Sequence, residues 1–109
     1  MALFKSIEDA IKDFPLDSQH GNIKDALCCA VLCIGSISWY IIEGERVGDD
    51  ILMFGVVIGW VDDEFSYVSL NELFKLGQIR LFTPLYPIPF KEIKDPHLQQ
   101  FLNTLTINE

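Results

Sequence analysis

Seven carboxylates and one base fall between Glu43 and Glu64 in this chain of 109 residues. The acids are Glu43, Glu45, Asp49, Asp50, Asp62, Asp63 and Glu64; the base is Arg46. Carboxylates at this density have three uses. They can keep an apolar domain dispersed as solvated turns. They can present an acidic surface to a basic protein, imitating nucleic acid, with the aromatic side chains of Trp39 and Tyr67 as anchors. They can hold a hard cation, although neither Asp49-Asp50 nor Asp62-Asp63-Glu64 has the alternating ligand spacing of a calcium loop. The expected partner-binding set is therefore Glu43, Glu45, Asp49, Asp50, Asp62, Asp63, Glu64, Trp39 and Tyr67. An enzyme built on Glu43, Asp50 and Glu64 would instead require those three to meet in one pocket.

Other chemistry finds less support. Cys28, Cys29 and Cys33 lie within six residues, without the second Cys or His pair that zinc requires. His20 and His97 are isolated from them and from each other. Cysteines in an apolar run read as small buried residues rather than reactive thiols. On one continuous strand, Cys29 and Cys33 would share a face and Cys28 would take the other. There is neither a Gly-x-Ser-x-Gly elbow nor a Gly-Lys-Ser/Thr phosphate loop. No catalytic residues, metal or cofactor are expected from these patterns.

The elements that position the acids follow from hydrophobic spacing. Ser6 reads as the cap of a first helix, with Ile7, Ala10, Ile11 and Phe14 on one face and Pro15 as its stop. Residues 25–34, 37–43, 51–61 and 65–68 read as four strands, the first of them central. The connections between them (Gly35-Ser36, residues 44–50 and 62–64) are too short for parallel crossovers, so the sheet should be an antiparallel meander. The acids then fall at opposite ends of the third strand. Alternation puts Trp39, Ile41 and Glu43 on one face of the second strand, with Tyr40 and Ile42 on the other. The aromatics Trp39, Tyr40, Phe54, Trp60, Phe65 and Tyr67 all fall on strands and are mostly core. Gly55 and Gly59 mark a bulge or a close backbone approach.

Ser69-Leu70-Asn71-Glu72 is a capping box for a second helix that stops at Gly77. Residues 78–82 read as a fifth strand. Pro84, Pro87 and Pro89 make residues 83–90 an extended surface segment. Asp95-Pro96 caps a last helix, where His97 is a solvated first-turn residue.

These readings give an α+β fold in one domain, with an antiparallel sheet of four to five strands and two or three short helices packed on it. Residues 1–24 form a helix and loop, 25–82 the sheet with its inserted helix, and 83–109 the proline-rich segment and last helix. Half of the chain is apolar and 22% is charged, which excludes a disordered tail. The net charge of −8 excludes nucleic acid and anionic lipid as partners bound through a general electrostatic field. The segment from Glu43 to Glu64 carries −6 of that charge. Residues 26–42 contain no charge, but their glycine, serines and β-branched residues favour two strands over a membrane helix. A charged N-terminus unlike a signal peptide and an odd cysteine count point to a reducing cytoplasm.

Three blocks in order resemble a family. They are Trp39-Tyr40-Ile41-Ile42-Glu43-Gly44, the run from Gly48-Asp49-Asp50 to Phe54-Gly55-Val56-Val57-Ile58-Gly59, and Glu64-Phe65-Ser66-Tyr67-Val68-Ser69-Leu70-Asn71-Glu72-Leu73. Together they resemble a bacterial domain-of-unknown-function family, number 2958, over about residues 26–90. Ser66 departs from the family's usual glycine. The resemblance implies a small bacterial or phage protein of the kind often encoded on mobile elements, and it carries no activity with it. It makes an accessory or inhibitor role reasonable, with the acidic edge docked on a basic, nucleic-acid-binding host protein. A homo-oligomer paired through strand edges or apolar surface is the structural alternative.

Overall fold

The computed structural model describes residues 2–19, 25–84 and 86–107. Helix α1 (Ala2–Ile11) is followed by strands β1 (Leu27–Cys28), β2 (Ala30–Ile34), β3 (Ile37–Val47), β4 (Asp50–Ile58) and β5 (Glu64–Ser69). Helix α2 (Leu70–Leu76), β6 (Arg80–Phe82), β7 (Ile88–Pro89), a 3-10 turn (Phe90–Glu92) and α3 (Pro96–Ile107) follow. The fold is α+β. Its main sheet has the order β5-β4-β3-β2-β6, with every neighbour antiparallel. Strands β2 to β5 form the expected meander, and β6 returns to the edge beside β2.

Helices cover both faces of this sheet. On one, α1 and α2 bring Ile7, Ile11, Leu70 and Leu73 against Trp39, Ile41, Met53 and Val57. On the other, α3 and the 3-10 turn bring Leu98, Leu102 and Phe90 against Tyr40, Ile42, Phe54 and Val56. A strand buried on both faces has no solvent side on which to place polar residues. That is why β4 reads as an unbroken apolar run.

Several elements depart from expectation. Helix α1 runs back to Ala2, so Ser6 is an exposed mid-helix residue and not a cap. Leu3 and Phe4 pack on the core with Ile7 and Ile11, and their helical spacing carries the helix past Ser6. The first apolar run is two strands in two sheets, divided at Cys29. β1 pairs with β7 through Leu27↔Pro89 and Cys28↔Ile88, whereas β2 lies between β3 and β6. The break shifts the alternation. Cys29 packs on the α1 side and Cys28 on the α3 side. Cys33, two residues beyond Val31 on β2, shares the α3 side. Cys29 and Cys33 therefore do not share a face. Strand β3 runs through Glu45 to Val47, so the polar connection shrinks to Gly48-Asp49.

The largest departure is a bulge in β3. Ile41 pairs with Gly55 and Glu43 pairs with Phe54, leaving Ile42 as an extra residue. Beyond it the strand reverses its facing. Glu43 therefore lies opposite Phe54 on the α3 side, not on the face of Trp39 and Ile41. Glycine is needed opposite the bulge, because a Cβ on Gly55 would collide with the Tyr40 carbonyl. His20 lies outside the described residues, and His97 is exposed in the first turn of α3.

Candidate functional site

The bulge gives Glu43 its surroundings. Strand β2 ends its pairing with β3 at Ala30↔Ile41, and the segment after α1 takes its place. Gly44 N donates to Phe14 O at 2.9 Å. The Glu43 carboxylate accepts from Asp17 N at 2.9 Å and Gln19 N at 2.7 Å. The Gln19 side chain acts as a rung between strands: its amide donates to Leu27 O and Ile42 O and accepts from Leu27 N. Glu43 has no exposed surface. It ties a loop to the sheet, and its burial keeps it off any docking surface.

Asp50 is also engaged. One oxygen accepts from Ile51 N at 2.7 Å and Asn71 N at 3.0 Å, and the other receives the Ser69 hydroxyl. Ser69 in turn accepts from Glu72 N, as the capping box predicts. Partial burial opposes the charge on Asp50, but the bonds from Ser69, Asn71 and Ile51 outweigh it and hold the carboxyl below its ordinary 3.8. Asp50 thus fastens the start of β4 to the start of α2. Asp95 does the same for α3: it accepts from His97 N at 3.0 Å and receives the Tyr40 hydroxyl. Burial first, and then the Asp95 bond and charge, push the Tyr40 phenol upward. Arg46 is held by α1, 3.2 Å from Glu8 and 5.2 Å over the Phe4 ring. Glu45 and Asp49 are exposed at the β3–β4 hairpin.

The other end of β4 is different. Gly59 leaves the strand at φ +93°, and a Cβ there would lie 2.7 Å from Ser36 O. Its N–H donates to Asp63 at 3.0 Å, closing a tight loop. That loop takes Trp60 off the expected strand, to 46% exposure. Trp60 meets buried Trp39 edge-on, ring centres 5.6 Å apart and planes at 90°. Between the loop, β5 and α2 lies a cleft of about 320 Å³. Its apolar surface comes from Trp39, Val57, Trp60, Val61, Leu73 and Leu76; its carboxylates are Asp62, Glu64 and Glu72. No Lys or Arg is among the described residues that line it.

The structure therefore divides the expected set. Trp39, Asp62, Glu64 and Tyr67 line one cleft, with Asp63 in its loop. Tyr67 is about half exposed and packs 4.8 Å from Phe54, centre to centre. Glu43, Glu45, Asp49 and Asp50 lie elsewhere. The trio Glu43, Asp50 and Glu64 does not meet. Asp50 begins β4, Glu43 faces Phe54 and Glu64 faces Val57. At about 3.3 Å per residue, the β4 positions beside Asp50 and Glu64 are roughly 23 Å apart, beyond any shared coordination.

Trp60, Val61, Glu72 and Leu76 also line the cleft, as do Ser66 and Val68, and none of them stands out in the sequence as a site residue. The positive-φ glycine before Trp60 and the acids after it were the available signal, masked by the apolar run that precedes them. Among the described residues, no group of three or more His, Cys, Asp or Glu is placed to hold a metal. Burial pushes the thiols of Cys28 and Cys29 up to about 12, which keeps them protonated and unreactive at neutral pH. Among the described residues, no helix is long and apolar enough to cross a membrane. No protein-family model, curated protein or solved structure matches the chain.

Proposed function

We propose that this protein is a small, acidic, non-enzymatic binding module that docks on a basic protein partner. The observation that carries the reading is the cleft beside Trp60, where three carboxylates surround an apolar lining with no base among its described residues. Exposed aromatic surface next to unneutralised acids suits a cationic protein surface, since aromatic anchors supply affinity and the charge speeds encounter. Phosphate-bearing ligands are repelled by the same charges. The resemblance to the mobile-element family favours an accessory or inhibitor role, with a basic nucleic-acid-binding host protein as the target and the cytoplasm as the setting.

The test is binding to a panel of basic nucleic-acid enzymes across salt concentration. Affinity is expected to fall as salt rises, and to fall further on charge reversal of Asp62, Asp63 and Glu64. Charge reversal at all three positions with unchanged binding rejects the reading.

A further inference from the structure

We propose that the cleft and the outer side of β5 together bind an extended, arginine-bearing segment of a partner protein, laid along β5 as a further strand. This rests on the protein-binding reading above and specifies which part of the partner is recognised.

Among the described residues, strand β5 is an edge strand with β4 as its one neighbour in the sheet. Edges are commonly blunted with Lys, Pro or brevity. The other edge, β6, is three residues long and carries Arg80. Strand β5 is six residues long, Glu-Phe-Ser-Tyr-Val-Ser, with no Lys or Pro. An edge of this kind accepts an extended segment through main-chain hydrogen bonds, while pockets for alternate side chains supply the selection.

The cleft supplies such a pocket. Glu64, Ser66 and Val68 pair with Val57, Gly55 and Met53, and lie on the α2 face. Phe65 and Tyr67 pair with Val56 and Phe54, and their rings pack against Phe54 on the α3 face, while Tyr67 also borders the cleft. An added strand alternates in the same way. Every second side chain would enter the cleft, between the Trp60 ring and the carboxylates of Asp62, Glu64 and Glu72. The side chains between would meet Phe65 and Tyr67.

Arginine is the side chain that satisfies both halves of this lining. Its planar guanidinium stacks on an indole and donates to a carboxylate in the same pose. Lysine, a compact and strongly hydrated charge, satisfies the carboxylates but does not stack in this way. The recognised segment therefore alternates arginine with apolar residues.

The experiment titrates the full chain, labelled with nitrogen-15, with end-capped nine-residue peptides that alternate valine with arginine, lysine or citrulline. Citrulline keeps the arginine shape without its charge. For the arginine peptide, amide shifts are expected along Glu64–Ser69 together with the Trp60 indole. The citrulline peptide should bind at least about tenfold more weakly, as loss of a charge-assisted bond implies. Glu64→Gln with Glu72→Gln should weaken the arginine peptide by about tenfold, and Trp60→Leu by about threefold. These side chains are exposed, and unchanged circular dichroism should show that the variants remain folded.

Equal binding of arginine and citrulline peptides overturns the proposal. So do shifts confined to Glu45 and Asp49 at the opposite hairpin, although those leave the basic-partner reading standing. Concentration-dependent shifts in β5 without peptide, with a dimer's mass, make a second copy the occupant and also overturn it. Absence of binding by either cationic peptide at low salt overturns both this proposal and the basic-partner reading.

Discussion

At the start of β4, Asp50 accepts two backbone amides and the Ser69 hydroxyl; beyond its end, Asp62 and Glu64 stand beside Trp60 around an open cleft. The same residue type, at two ends of one strand, serves two purposes. At the first end the carboxylate replaces hydrogen bonds that helix α2 would otherwise lack. At the second, Asp63 fastens the loop and leaves its neighbours lining a cavity. A count of acids cannot separate these roles, because what separates them is whether backbone N–H groups converge on the carboxylate. Between the two ends, Glu43 is the extreme case: a buried carboxylate that anchors backbone from a distant segment.

The sharpest way to break this contrast is at Glu43. Glu43→Ala leaves the amides of Asp17 and Gln19 without their buried acceptor, and should cost on the order of 3 kcal/mol in denaturant unfolding. Glu43→Gln should also destabilise, because its NH₂ would face one of those N–H donors. Stability within 0.5 kcal/mol or so of the parent in both variants would show that the carboxylate is not an anchor.

Gly59→Ala comes next. It combines a positive φ with a close approach to Ser36 O, so about 2 kcal/mol should be lost. The Trp60 indole resonance should move with the loop. An unmoved indole in that variant would separate the loop from the cleft.

Asp50→Ala should cost about 1 kcal/mol, the usual effect of losing a helix cap. Its contribution depends on pH. The carboxyl is lowered in the folded state, so the contribution is full above the ordinary 3.8 and is lost as pH falls through the lower folded-state value. The stability gap between parent and Asp50→Asn should therefore narrow on acidification below about pH 4. A gap that widens there would contradict the capping role.

The smallest stability effect belongs to the cleft. Asp62→Asn and Glu64→Gln should each change stability by no more than about 0.5 kcal/mol. Their effect should appear in partner binding instead. Large destabilisation by either change would make the two ends of β4 alike and remove the contrast.

Most of the architecture was legible in the sequence. Pro96 and the Ser69 box marked two helices, and short polar connections marked the meander. The α+β class followed from these. Apolar continuity hid three things. Cys29 divides one run into two strands, yet nothing in the run marks the break. The run from Ile51 to Val61 carries Trp60 at its end, so an exposed loop residue looked like core. The phase of β3 depends on a bulge beside the close approach of Tyr40 and Gly55. That is a long-range contact, invisible to any local period. The site was legible only in part for the same reason. Asp62, Glu64, Trp39 and Tyr67 were within reach of pattern reading, whereas Glu72 and Leu76 join them only because α2 folds back over β5.

The bulge also makes β3 unequal in its tolerance of length changes. Removing one residue from a regular strand turns everything beyond the cut inside out. Ile42 is the exception. It has no partner of its own in the β3–β4 ladder, and Ile41 and Glu43 keep Gly55 and Phe54 without it. Deleting Ile42 should cost one buried side chain and the Gln19 bond to its carbonyl, but spare the inward and outward order of the strand. Deleting Ser38 or Glu45 should scramble it. The chain can thus be shortened at a point in the middle of its core that a surface-based view of tolerance would rule out.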